Sequence, residues 1–61
     1  MHARIKGIDE DLITLDNGDT YRAERMDLHR LSSWNVDDKV RIGYDYLFHL
    51  KREKKVHVRR E

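Results

Sequence analysis

Apolar and polar side chains alternate with a period of two along six short runs of this chain. Ala3, Ile5 and Gly7 are separated by Arg4 and Lys6, Ile13 and Leu15 by Thr14, and Tyr21 and Ala23 by Arg22. Further on, Arg41 separates Val40 from Ile42, and His57 separates Val56 from Val58. Between those runs, Tyr46, Phe48 and Leu50 alternate with Leu47 and His49. Successive side chains of a strand point to opposite faces, so this period predicts half-buried strands. They are expected near 2–8, 12–16, 19–24, 38–43, 46–51 and 55–60.

Directly opposed residues of an antiparallel pair share a face, so loop length can be tested by parity. A three-residue loop at Asp16-Asn17-Gly18, with Gly18 left-handed, sets Ile13 opposite Tyr21 and Leu15 opposite Asp19. A loop at Asp9-Glu10-Asp11 sets Ile5 opposite Leu15 and Gly7 opposite Ile13. A loop at Gly43-Tyr44-Asp45 sets Val40 opposite Phe48 and Ile42 opposite Tyr46. A loop at Arg52-Glu53-Lys54 sets Leu50 opposite Val56 and Phe48 opposite Val58. All four hairpins then agree on one buried face. Gly7, inside a strand, marks a bend that curls the sheet. Residues 25–37 break the alternation, with Met26, Leu28, Leu31 and Trp34 two or three residues apart. A short helical or 3₁₀ turn near residues 25–34 is expected to plug one end of a barrel.

The run Trp34-Asn35-Val36-Asp37-Asp38-Lys39-Val40 resembles a W-x-x-G-D-x-V lead into a strand, with Asp37 in place of the glycine. The run from Ile13 to Tyr21 resembles a hairpin of small bacterial barrels. Together they are similar to SH3-like or OB-like barrels. The expected fold is therefore all-β: one small five- or six-stranded antiparallel barrel, SH3-like or OB-like, spanning 1–61. A chain of 61 residues buries only about 60% of its unfolded surface, so its core is small.

Charged residues make up 41% of the chain and nearly cancel, at a net +1, but they are not evenly spread. Residues 1–38 carry five basic and nine acidic side chains; residues 39–61 carry eight basic and three acidic. In the register above, the outward positions of the last three strands include Lys39, Arg41, His49, Lys51, Lys55, His57 and Arg59, with Leu47 as the apolar exception. A one-signed sheet face is an electrostatic footprint for phosphate. The expected function is a non-catalytic binding module that contacts RNA or DNA backbone with little sequence reading. The same register turns Tyr21, Tyr46 and Phe48 inward, which leaves few aromatics for base stacking. The alternative is a protein-interaction module or homodimeric regulator that uses an edge strand and Leu47.

Other chemistries find little footing. His49 and His57 are expected as cross-strand neighbours, but two histidines fall short of a four-ligand zinc site, and no metal or cofactor is expected. The acidic runs 9–11 and 16–19 are turn sequences without the spacing of a calcium loop. Ser32 and Ser33 have no nucleophile motif and no evident base, so no enzyme activity is expected. Apolar stretches are too short to span a membrane. The absence of cysteine fits a reducing compartment. Starting at Met1 with no targeting segment, the chain reads as a complete small protein of the cytoplasm.

Overall fold

The computed structural model describes residues 1–61. Six strands close into a barrel: β1 (His2–Asp9), β2 (Leu12–Leu15), β3 (Thr20–Ala23), β4 (Lys39–Ile42), β5 (Tyr46–His49) and β6 (Lys54–Arg60). Around the barrel the order is β1-β2-β3-β6-β5-β4, and every pair, including the closing β1–β4 pair, is antiparallel. The fold is thus two three-stranded meanders joined along two seams. The seams share a symmetric register: Ala3 faces Val40 across one, and Ala23 faces Val58 across the other. Between the meanders, a 3₁₀ turn at Arg25–Asp27 runs into the short helix α1 (Leu28–Leu31).

The first meander follows the sequence pattern closely. Ile13 faces Tyr21, the backbone N–H of Leu15 donates to Asp19 O at 2.9 Å, and Gly18 takes φ 93°. Asn17 reinforces that turn by accepting from the N–H of Asp19. Ile5 faces Leu15 as expected, but the register shifts by one before Gly7, so that Gly7 faces Thr14 and Ile8 faces Ile13. A bulge at the glycine bends β1 and brings Ile8 against the core. The β1–β2 loop consequently has two residues, not three, and Glu10 takes φ 56°.

The second meander departs from the expected register. Val40 faces His49 and Ile42 faces Leu47, and on the other side Leu47 faces Val56 while Tyr46 faces His57. Ile42 pairs with Leu47 rather than Tyr46, a slip of one residue, and four residues, 50–53, separate β5 from β6 where three were expected. The pairing shifts by an odd number of residues on both sides of β5, which turns that strand over between its neighbours. Leu47 and His49 therefore point inward, at 0% and 2% exposure, and Tyr46 and Phe48 point outward. Size favours this choice. The interior of a small barrel is filled by side chains, and this one already holds Tyr21, Trp34, Ile5, Ile13 and Leu15. Leu47 and His49 occupy less of it than Tyr46, Phe48 and Leu50 would. Inversion also gives the His49 ring two hydrogen bonds and a tilted contact with Trp34 at 5.1 Å.

Leu31 and Trp34 plug the barrel as expected, whereas Met26 and Leu28 remain exposed. Two polar residues are buried, Asp27 and His49, and both fix this connection to the barrel. Asp27 Oδ2 accepts from the backbone N–H and the Nδ1 of His57, each at 2.8 Å. His49 Nε2 lies 2.8 Å from Asp38 Oδ2, and its Nδ1 accepts from the Arg52 N–H at 3.1 Å. The second bond leaves the ring proton on Nε2, so His49 donates to Asp38. Burying polar groups is costly unless they are paired, and these are. Asp37, where the resembling run has glycine, takes φ 77°.

Candidate nucleic-acid interface

Inversion of β5 rebuilds the outer face of β4, β5 and β6. One row across the strands now reads His2, Arg41, Phe48, Lys55, and the next pairs Tyr46 with His57. Arg41, Lys55, His57, Lys39 and Arg59 stay on the outer side, as expected from the sequence. His49 and Lys51 do not. His49 is in the core, and Lys51 sits in the 50–53 turn beyond the end of β5. His49 and His57 are therefore on opposite sides of their hairpin and form no pair. Leu47, expected as an exposed apolar contact, is fully buried, and the closed barrel leaves no edge strand.

The face gains Tyr46 and Phe48, both partly exposed. The Arg41 guanidinium carbon lies 5.3 Å from the Phe48 ring centre, and Lys55 Nζ lies 5.1 Å from that of Tyr46. These are cation–π distances. Sequence reasoning placed both rings inside because β5 is apolar on both parities, Tyr46, Phe48 and Leu50 on one and Leu47 on the other. The usable signal was His49, whose polar ring counted against its strand-mates rather than for a buried hydrogen bond. Gly43 matters here: a Cβ on it would overlap the Tyr46 ring, so the glycine leaves room for that ring to lie over the backbone. A depression of about 410 Å³ forms between Arg41, Tyr46, Phe48 and Lys55, with Arg30 and Glu53 on its rim.

The charges of this surface are unevenly engaged. Arg59 pairs with Glu24 at 3.3 Å. Lys39, Arg41 and Lys55 take part in none of the seven ion pairs. His57 is anchored through Nδ1 to Asp27, with its side chain still 41% exposed. The backbone N–H of His57, and then its ring, hold the Asp27 carboxyl below its ordinary value, with help from Arg30 at 3.7 Å. Burial opposes this shift and is outweighed. The Asp38 carboxyl is lowered in the same way by the His49 ring and by the backbone N–H of Asn35.

No three or more His, Cys, Asp or Glu side chains converge as metal ligands. The acidic turns are used internally: Asp11 pairs with Arg22 and Asp19 with Arg60, each at 2.7 Å. No helix is long and apolar enough to cross a membrane. No protein-family model matches the chain, and neither does any curated protein or solved structure.

Proposed function

We propose that this barrel is a non-catalytic module that binds single-stranded nucleic acid in the cytoplasm through the outer face of β4, β5 and β6. One observation carries the reading: Tyr46 and Phe48 lie side by side on β5, flanked by Arg41 on β4 and Lys55 on β6. Strand binders of low sequence preference combine a basic track for the backbone with rings on which bases stack. Lys39, Arg41 and Lys55 supply the unpaired charge; Tyr46 and Phe48 supply the π faces. His57 borders the same row, and Arg59 is paired with Glu24.

The test is fluorescence anisotropy with labelled single- and double-stranded oligonucleotides at two salt levels. Single strands bind more tightly than duplex. With three phosphate contacts, log K falls by about 2 per tenfold rise in salt. Changing both Arg41 and Lys55 to Glu abolishes binding. Absence of binding at low salt overturns the reading, and so does normal binding by that double variant.

A second reading, a protein-contact module, is favoured by a different surface. Met26 is 76% exposed beside Leu28, and Leu28, Leu31 and Ile8 line a separate depression of about 510 Å³. Apolar association there holds or strengthens in salting-out conditions, where phosphate contacts weaken. Sedimentation at two salt levels distinguishes the two.

A further inference from the structure

A cleft lies beside the aromatic face. It holds about 800 Å³, and its walls carry His29, Arg30, Lys51, Arg52 and Lys54 against a single carboxylate, Asp38. That carboxylate is already engaged, accepting from His49 Nε2 and from the Asn35 N–H, each at 2.8 Å. Lys51, Arg52 and Lys54 take part in none of the ion pairs of the protein. Arg30 donates to Lys55 O at 3.1 Å, which holds its guanidinium at the boundary of the cleft. Three unpaired cations, together with Arg30, which also pairs with Asp27 at 3.7 Å, surround one occupied acid and focus a positive field into a partly enclosed space.

Arg30 and Lys54 also line the depression between Arg41, Tyr46 and Phe48. Cleft and face are therefore one continuous surface. A phosphodiester inside a strand carries one negative charge. A terminal phosphomonoester carries nearly two at neutral pH, and three free oxygens. Guanidinium forks and ammonium groups reward that difference with charge-assisted hydrogen bonds.

We propose that this cleft receives the phosphate at the end of a nucleic-acid strand whose adjoining bases stack on Tyr46 and Phe48. The proposal rests on the reading of the face given above and adds a terminus preference to it. Lys51, absent from the outer face, acquires a role here, as does Arg52. Trp34 walls the cleft from behind; its indole N–H is buried without a hydrogen-bond partner, and it is the sole tryptophan of the chain.

The experiment compares three oligothymidylates of equal length, one with a 5′-phosphate, one with a 3′-phosphate and one with neither, by anisotropy. One phosphorylated form binds about tenfold more tightly than the unphosphorylated strand. The preference falls below about twofold in the Lys51→Gln/Arg52→Gln variant, while affinity for the unphosphorylated strand is kept. Equal binding of all three overturns the cleft and leaves the face standing. Binding of none overturns the face, and the cleft is then decided by inorganic pyrophosphate, followed through the Trp34 indole resonance. A saturable shift that the variant loses supports a phosphate site; no shift overturns it.

Discussion

Truncating Leu47 and Phe48 separately tests the inversion of β5, on which the nucleic-acid reading depends. Leu47 is completely buried, and Phe48 stands next to it on the outer side with Arg41 over its ring. Removing a buried leucine side chain costs about 2–5 kcal/mol, the lost transfer energy plus a cavity, and about 3 kcal/mol is a central value. Phe48 is only partly buried, so its truncation forfeits part of the roughly 1.5–3 kcal/mol of full burial, about 1 kcal/mol. A domain of this length has about 3–9 kcal/mol in total. In so small a domain each kcal/mol moves the melting temperature by about 4–8 °C. Leu47→Ala is therefore expected to lower it by about 12–24 °C, and Phe48→Ala by about 4–8 °C. Circular dichroism melts, with Trp34 fluorescence as a second probe, measure both. Phe48→Ala should also weaken oligonucleotide binding by about tenfold, the contribution of one stacked base. A Phe48→Ala protein as destabilised as Leu47→Ala would place Phe48 in the core and dissolve the aromatic face.

Four further outcomes follow from particular residues. Asp27 and Asp38 both titrate below the ordinary carboxylate value of 3.8, so the unfolded chain takes up protons first as the pH falls. The stability they contribute is complete above about pH 5 and is lost as the pH drops through their folded values; urea midpoints measured from pH 6 to 2.5 should fall, and less steeply in Asp27→Ala. That variant should also be about 1–3 kcal/mol less stable near neutral pH, because the backbone N–H of His57 loses its acceptor. Asp37→Gly, which relieves a left-handed residue at φ 77°, should gain about 0.5–1 kcal/mol in the same titrations. Gly43→Ala should displace the Tyr46 ring and reduce oligonucleotide affinity more than it reduces the melting temperature, as read by anisotropy and thermal melts on one preparation.

The limits of sequence reasoning show most clearly where the two meanders differ. In the first, Asn17-Gly18 is a turn signal with a backbone requirement, and the Ile13–Tyr21 register follows from it. In the second, the turn Leu50-Lys51-Arg52-Glu53 contains no glycine, asparagine or proline, and it closes with Glu53 at φ 55°. Nothing in those residue types announces a loop of four rather than three. Parity then had to be decided by hydrophobicity, and β5 offers apolar residues on both sides. The deciding interactions, Asp38 and Trp34 around His49, are long-range or come from the loops and are invisible to a local pattern. Five of the seven basic positions remained on the outer face because β4 and β6 have a single apolar parity each.

The two seams also shape how this chain can fail. A hairpin pairs neighbours and forms early, but β1 meets β4 and β3 meets β6 only after the connection between them has brought residues far apart in sequence together. Until both seams shut, each meander shows two bare rims of N–H and C=O groups, ready to add strands from other molecules. The Asp27–His57 and Asp38–His49 bonds tie that connection to β6 and β5, so loosening them delays closure and lengthens the interval in which intermolecular pairing competes.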